Sequence, residues 1–276
     1  MLRLESKTEN MLTITIIQTD LHWENKAANL RMLEDKLRNL KQPTEIVLFP
    51  EMFTTGFSMS PSDLAETMEG ESVLWMREMA ARHRVVLGGS VIIEEAGKFY
   101  NRFIWMLPNG QMGTYDKRHR FAFAGEDKHY SAGAKRTIAQ VKGWKINLQV
   151  CYDLRFPVWS RQQLQPNEQE ELTPEFDVLI YVANWPERRS HAWKTLLCAR
   201  AIENQCYVVG VNRVGKDGND IYHSGNSMVI DPLGEVLYHM ADDEDIFTIS
   251  LQREHLDSVR ARFPFWKDGD PFSIEV

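Results

Sequence analysis

Three apolar runs of this 276-residue sequence each end in a residue that could take part in catalysis. The run "IVLFP" ends at Glu51, "INLQV" ends at Cys151, and "VLIYVA" ends at Asn184 and Trp185. Open α/β folds build their sites from residues just past the carboxyl ends of sheet strands. A thiol that attacks a carbonyl carbon needs a base and a group that stabilises the oxyanion. Because a single buried cysteine is more often inert packing, Cys151 needs such partners before it can be interpreted as a nucleophile.

The base for such a thiol is either a histidine or a carboxylate. None of the eight histidines lies in the sequence context of a cysteine-protease pair, but such pairs meet only in the fold. The alternative is a carboxylate base with a lysine cation, and Lys117 comes just after the strand that Gly113 to Tyr115 close. A solvated basic turn is the simpler interpretation of that segment. We interpret Cys198, inside a predicted helix, and Cys206, at the start of a strand, as packing residues.

The elements that must position these residues alternate early in the chain and then become mostly strands. Apolar residues recur at helical spacing from Ala27 to Leu40, and "ESVLWMREMAARH" and "RRSHAWKTLLCARAIENQ" predict two further helices. Strands are predicted over "LTITIIQTD", "EIVLFPE", "VVLGGSVII", "FYNRFIWML", "WKINLQVC", "DVLIYVANW" and "CYVVGVNRV". This is a mixed α/β pattern with more hairpins than a doubly wound fold. We expect the polar segment 165–175, "QPNEQEELTPE", to be a surface loop.

Composition limits the classes of partner. The net charge of −7 argues against nucleic acid and anionic membranes as partners. Three cysteines without regular spacing form no disulfide framework and no zinc pattern, which favours a reducing compartment. No apolar run approaches the roughly 20 residues that span a bilayer, and we see no signal peptide, so we expect a cytoplasmic protein. The acidic stretch "MADDED" is interpreted as a solvated turn, and we expect no metal and no cofactor.

Five blocks of the sequence together resemble the nitrilase, or carbon–nitrogen hydrolase, superfamily. They are "LFPEMFTTGF", "TYDKRHRF", "CYDLRFP", "ANWP" and "ARAIENQCYVVGVNRVG", and they occur in the order of the family. Any one block alone would be a weak signal. Within the superfamily, "EMFTTGFSM" and "CYDLRFPVW" are similar to the bacterial omega-amidases, which hydrolyse the terminal amide of 2-oxo acid amides.

The resemblance implies a fold and a catalytic set. The fold is a four-layer αββα sandwich, two mixed sheets with helices outside, in one carbon–nitrogen hydrolase domain over residues 11–276. Residues 1–10 would be a poorly ordered N-terminal extension, and a homodimer is expected. The catalytic residues implied are Glu51, Lys117 and Cys151, with Glu126 as a second glutamate and Asp127 as its neighbouring rival.

The implied chemistry is a thioester route in which Glu51 serves as base. The ammonium of Lys117 and the backbone N–H of Tyr152 would meet the oxyanion. A nearby carboxylate raises the pKa of a thiol and a lysine lowers it, so the two effects oppose each other. We therefore expect proton transfer to be coupled to the attack of Cys151, without a stored thiolate.

The expected substrate is a small 2-oxo acid omega-amide such as 2-oxoglutaramate or 2-oxosuccinamate. Arg155 would form a fork for its carboxylate, or else an ion pair with Asp153 or another acid. Phe57, Asn184 and Trp185 are candidates for the pocket wall.

Other functions remain open at this point. A related enzyme could act on an N-carbamoyl compound, another aliphatic amide or a nitrile with the same catalytic set. A non-catalytic interaction protein that kept the fold is a second alternative, although the intact catalytic set argues against it. A histidine-dependent cysteine peptidase is the third.

Overall fold

The structure is a computed structural model that describes residues 10–166 and 170–275. Within these residues the chain forms β1 (Met11–Gln18), β2 (Ile46–Leu48), β3 (Val86–Glu95), β4 (Lys98–Met106), β5 (Met112–Asp116), β6 (Ile138–Val141), β7 (Trp144–Val150), β8 (Leu164–Pro166), β9 (Leu172–Pro174), β10 (Val178–Ala183), β11 (Tyr207–Asn212), β12 (Val214–Lys216), β13 (Tyr222–Ile230), β14 (Val236–Ala241) and β15 (Asp245–Gln252).

Three long helices and several short ones connect these strands. The α-helices are α1 (Lys26–Arg38), α2 (Pro61–Leu64), α3 (Glu71–His83), α4 (Glu126–His129), α5 (Pro157–Ser160), α6 (Ser190–Asn204) and α7 (Arg253–Arg262). Short 3-10 helices cover Ala122–Ala124, Cys151–Arg155, Glu187–Arg189 and Phe265–Asp268. In the described part of the chain, none of the helices is long and apolar enough to cross a membrane.

The strands form two mixed sheets. The first has the order β15-β1-β2-β3-β4-β5, in which β1, β2 and β3 are parallel and β15 runs antiparallel to β1. The second has the order β12-β13-β11-β10-β7-β6, with β14 paired to β13 and with β7, β10 and β11 parallel. The short β2 follows from its position between two neighbours, because a central parallel strand is buried on both faces and reads as a continuous apolar run.

The two sheets face each other, and helices cover their outer faces. Ile14 of β1 and Leu148 of β7 belong to one buried apolar cluster that fills the space between the sheets. On the outer face of the first sheet, Val47 packs in a second cluster with Leu33 of α1 and Met76 of α3. The apolar residues of α1 and α3 therefore recur at helical spacing because they cover a sheet.

Helix α6 covers the outer face of the second sheet. It approaches β11 so closely that a side chain at Gly210 would lie 2.6 Å from Leu197 and 2.9 Å from Trp193. Only glycine permits this approach of helix and strand. With α6 in place, the layers run helix, sheet, sheet, helix, and the predicted αββα sandwich of mixed sheets is confirmed.

Two expectations about the less regular segments are corrected or lie outside the described residues. The ends of segment 165–175 are a short ribbon of β8 and β9, in which Gln165 pairs with Thr173, where we predicted a loop. The ribbon buries little apolar surface, so its polar composition carried no strand signal; backbone pairing alone holds it. Of the predicted extension 1–10, residues 1–9 lie outside the described residues, and the carbonyl of Asn10 accepts a hydrogen bond from the Arg253 N–H.

Candidate active site

Four strands from both sheets end at one place. Lys117 directly follows β5, Cys151 directly follows β7 and Asn184 directly follows β10, while Glu51 follows β2 after Phe49 and Pro50. Glu51 and Lys117 come from the first sheet, and Cys151 and Asn184 come from the second. All four are buried, with Cys151 the most exposed of them at 8%. The fold therefore brings together residues that are far apart in the chain.

A buried cluster of charges surrounds the lysine. The Lys117 Nζ donates to Glu51 Oε1 at 2.8 Å and to the two Glu126 oxygens at 3.0 and 2.9 Å. The Asn184 backbone N–H donates to Glu51 Oε2 at 2.8 Å. Asp127, the rival for the second glutamate, is exposed, whereas Glu126 is fully buried. The structure thus places Glu126, not its neighbour, at the lysine.

Asn101 is a member of this cluster that the sequence analysis missed. Its Nδ2 donates to Glu51 Oε1 at 2.7 Å and to Glu126 Oε1 at 3.4 Å. Its carbonyl also accepts the backbone N–H of Lys117 at 3.0 Å. A single side chain on β4 therefore fixes both glutamates and the start of the lysine segment.

The signal for Asn101 was present only in the strand pairing. Asn101 stands in "FYNRFIWML", where a polar residue reads as the solvent side of a strand. The β4–β5 register pairs Arg102 with Asp116, so Asn101 falls opposite Lys117. A hairpin register worked out across the "PNG" turn at 108–110 would have paired these residues and singled out a buried polar residue beside the lysine.

The nucleophile lies on a strained turn that Asp153 supports. Cys151 has φ +45°, a left-handed conformation that is uncommon for a residue with a side chain. Asp153 accepts hydrogen bonds from the Val150 N–H at 3.1 Å, from the Tyr115 hydroxyl at 2.7 Å and from the His119 N–H at 2.9 Å. These bonds join the turn at Cys151 to the end of β5 and to the segment after it.

These contacts of Asp153 decide between the two interpretations of Arg155. The carboxylate of Asp153 is occupied by partners from the β5 end of the chain. Within residues 10–166 and 170–275, Arg155 forms no ion pair, and its Cζ lies 4.9 Å from the centre of the Trp185 ring. The alternative of an Arg155–Asp153 ion pair is therefore wrong.

Burial and the charges around it set the protonation of the cluster. Burial, the Glu51 carboxylate and a hydrogen bond to that carboxylate raise the pKa of the Cys151 thiol, and Lys117 offsets only part of this. Burial would lower the pKa of Lys117, but the Glu126 and Glu51 carboxylates outweigh it and raise the pKa. Burial also raises the pKa of Glu126, against the effect of Lys117. The resting state therefore has a neutral thiol beside a charged ammonium.

We expect the ultraviolet thiolate absorbance of Cys151 to be absent near neutral pH, because the folded-state pKa of the thiol is raised. The difference spectrum between the unmodified protein and Cys151→Ala measures this as the pH is raised. Cys198→Ala serves as the control for a half-buried cysteine outside the cluster. A Cys151 signal that persists well below neutral pH would show a stored thiolate and contradict the expectation.

A pocket of about 230 Å³ opens in front of Cys151. The predicted residues Phe57, Arg155, Asn184 and Trp185 all line it. The Phe57 ring centre lies 5.0 Å from the Lys117 Nζ, so one wall of the pocket touches the charged cluster. Sites for drug-sized ligands measure roughly 300–1,000 Å³, so this pocket fits a smaller molecule.

Further residues line the pocket that the sequence analysis did not single out. They are Phe121, Phe123, Ala124, Tyr152, Pro186, Arg188, Arg189, Asp217, Ile221 and His223. His223 is buried, and burial followed by the charge of Arg213 lowers its pKa to about 4. Its ring is therefore neutral near neutral pH. Among the described residues, no three His, Cys, Asp or Glu side chains come together as metal ligands.

Comparison with known proteins assigns the family. The model of the carbon–nitrogen hydrolase family matches residues 13–261. The chain belongs to the carbon–nitrogen hydrolase family. This family hydrolyses carbon–nitrogen bonds, so the chain is a hydrolase, and the resemblance of the five sequence blocks is confirmed. The charged cluster and the pocket of this hydrolase lie inside the matched range.

Individual carbon–nitrogen hydrolases are similar over nearly the whole chain. The omega-amidase YafV of Yersinia enterocolitica is 42% identical over 264 residues, 95% of this chain and 98% of the relative. The 2-oxoglutaramate amidase of Bacillus subtilis is 30% identical over 259 residues, 93% of this chain and 96% of the relative. A superfamily protein of Xanthomonas campestris, solved with an arsenic adduct in its active site, is 42% identical with a TM-score of 0.92. It covers 96% of this chain and 99% of its own.

Proposed function

We propose that this hydrolase releases ammonia from the terminal amide of a small 2-oxo acid omega-amide, such as 2-oxoglutaramate or 2-oxosuccinamate. Relatives at 42% and 30% identity bear the names omega-amidase and 2-oxoglutaramate amidase, which supports this substrate class. The product would be the dicarboxylic oxo acid.

One observation in the pocket carries the proposal. The guanidinium of Arg155 lies over Trp185 in the same small pocket as Cys151, and no carboxylate of the described residues pairs with it. A half-buried cation without an acid calls for an anionic ligand, and arginine binds carboxylates through two parallel hydrogen bonds. A short amide with a carboxylate at its far end satisfies both ends of the pocket.

In the first half-reaction, the Cys151 sulfur attacks the amide carbon while Glu51 takes the thiol proton. The ammonium of Lys117 and the backbone N–H of Tyr152 stabilise the oxyanion. The Tyr152 N–H lies in the first turn of the Cys151–Arg155 helix, where N–H groups have no acceptor within the helix. Glu51 then gives the proton to the departing nitrogen, so that ammonia leaves and a thioester forms.

In the second half-reaction, Glu51 takes a proton from water as its oxygen attacks the thioester carbon. The carbon–sulfur bond breaks, the acid leaves, and the proton returns to the sulfur of Cys151. Glu126 acts through Lys117: its two bonds to the Nζ hold the ammonium where the oxyanion forms. Removing one such oxyanion donor typically costs about 10²–10³ in rate.

Steady-state ammonia release on a panel of amides tests the proposal. The panel holds 2-oxoglutaramate, 2-oxosuccinamate, an N-carbamoyl amino acid, an uncharged aliphatic amide and a nitrile, with Cys151→Ala as the blank. We expect the highest kcat/KM for the 2-oxo acid amides. A higher value for an N-carbamoyl compound, an uncharged amide or a nitrile would replace the proposed substrate while keeping the catalytic set.

The role of Arg155 gives a separate prediction. Arg155→Lys keeps the charge but loses the two-point fork and the planar stacking on Trp185. We expect KM for 2-oxoglutaramate to rise about tenfold, the effect of one charge-assisted hydrogen bond. KM for an uncharged amide should change much less, and parallel measurement of both substrates decides. Equal effects on the two would make Arg155 a structural residue.

A further inference from the structure

A second arginine faces the pocket in the same manner as Arg155. The Arg189 Cζ lies 4.8 Å from the centre of the Phe121 ring, as the Arg155 Cζ lies 4.9 Å from that of Trp185. Both arginines are half-buried, and both line the pocket of Cys151. In the part of the chain that the structure describes, neither guanidinium has a hydrogen bond or an ion pair.

Elsewhere the half-buried and buried arginines of this acidic chain are paired with carboxylates. Examples are Arg102 with Asp116 and Glu95, Arg136 with Glu175, Arg213 with Asp20, and Arg260 with Asp177. With 39 acidic against 32 basic residues, acids for pairing are in excess. Two unpaired guanidiniums in one pocket are therefore a local exception, and buried or half-buried charges normally have partners.

Hydrogen bonds to the catalytic cluster fix the position of both cations. The Phe121 backbone N–H donates to the Glu126 carboxylate, and the Phe121 ring centre lies 4.9 Å from that of Tyr152. The Trp185 Nε1 donates to the Arg189 carbonyl at 2.8 Å, so the ring under Arg155 also holds the backbone of Arg189. The two guanidiniums are thus presented by rings that contact the neighbours of the reacting groups.

The charge around Arg189 is strongly positive. Burial first, and then the charges of Arg188 and Arg155, lower its pKa. The carboxylate that lines the same pocket, Asp217, accepts the N–H groups of Asn219 and Ile221 at 2.8 and 3.0 Å. It is engaged in its own turn, so the cations at the pocket keep an excess of positive charge that a bound anion would relieve.

We infer that Arg189 and Arg155 form a two-point clamp for the 2-oxo carboxylate end of the substrate, and that Arg189 excludes amino acid amides. A 2-oxo acid offers carboxylate and ketone oxygens, which accept hydrogen bonds from two guanidiniums. An amino acid amide of the same length, such as L-glutamine, would place an ammonium between the two cations, and like charges discriminate strongly against the wrong ligand. This inference rests on the proposed function and names the residue that selects within its substrate class.

Kinetics of Arg189→Gln test the clamp. The expected fall in kcat/KM for 2-oxoglutaramate is about 10–100-fold, the range for a lost hydrogen bond to a charged group. The fall for butyramide should be about tenfold smaller, and the preference for 2-oxoglutaramate over L-glutamine should narrow by about tenfold on the same basis. Arg262→Gln is the matched control, since Arg262 stacks on Phe263 outside the pocket, and it should change none of these values. Equal losses on all three substrates would overturn the inference.

Equilibrium binding separates failure of the clamp from failure of the proposed function. Calorimetry of 2-oxoglutarate with the Cys151→Ala protein should show binding that Arg189→Gln weakens by about 10–100-fold. An unchanged Kd in the double variant, or no binding to Cys151→Ala at all, would overturn the clamp. If the unmodified enzyme releases no ammonia from 2-oxoglutaramate while this binding difference holds, the clamp stands and the proposed substrate fails.

Discussion

Cys151→Ala is expected to lower kcat for 2-oxoglutaramate by about 10⁴–10⁶-fold, as loss of a covalent nucleophile does in enzymes that use one. The thiol is the group that forms the thioester, and Lys117 and the Tyr152 N–H can stabilise an oxyanion only after a nucleophile has attacked. Ammonia release measured over long incubations gives the residual rate. Mass spectrometry of the quenched reaction should show an acyl adduct on the unmodified protein and none on the variant.

The matched control for this substitution is Cys198→Ala. Cys198 lies on α6, is only partly buried and lies outside the lining of the pocket. Its replacement should leave kcat and the adduct unchanged. Because Cys151→Ala replaces a small buried residue by a smaller one, thermal unfolding should still be cooperative. A folded Cys151→Ala protein with more than about a hundredth of the original kcat would exclude a covalent route through this residue.

Glu51→Gln is expected to lower kcat by about 10²–10⁴-fold, the usual contribution of a general acid or base. The glutamine keeps the shape and can still accept from Lys117 and Asn101, but it cannot take the thiol proton. The sign of a second effect is opposite. The Glu51 carboxylate raises the pKa of the Cys151 thiol, so its removal lowers that pKa and leaves Lys117 to stabilise the thiolate. The thiolate absorbance should therefore appear at lower pH in a slower enzyme.

Glu66→Gln is a control with a matched environment. Glu66 is also buried and accepts a lysine, Lys26, at 3.0 Å, but it lies away from the pocket lining. The same experiment tests the histidine-dependent alternative, for which His223 is the histidine in the pocket. We expect His223→Asn to retain turnover where Glu51→Gln loses it. The reverse result, with Glu51→Gln active and His223→Asn inactive, would favour a histidine base.

Local sequence was sufficient for the elements and for the ends of the strands. The helical spacing over "ESVLWMREMAARH" predicted α3 at its observed bounds, and the apolar run before Cys151 predicted β7. Both patterns are local, because side chains repeat along a helix or a buried strand whatever the chain does elsewhere. The family resemblance also depended on local blocks, which keep their residues because the chemistry needs them next to a strand end.

Pairings between distant segments had no such local signal. β15 lies beside β1 with Met11 opposite Gln252, and neither strand carries a mark of the other. Asn101 joins the charged cluster through the β4–β5 register, and Asp153 is taken by Tyr115 and His119 instead of by Arg155, its neighbour in sequence. Such choices depend on which groups the fold brings within hydrogen-bonding distance.

The sequence by itself therefore determined the family, the layered α/β class and the Glu51, Lys117 and Cys151 positions at the ends of buried strands. Tertiary structure alone decided that Glu126 and not Asp127 meets Lys117, that Asn101 bridges both glutamates, and that Arg189 stands unpaired beside Arg155. The physical reason is distance. Periodicity and turn chemistry act over a few residues, whereas burial, charge pairing and an open guanidinium are settled by side chains that meet only when both sheets have packed.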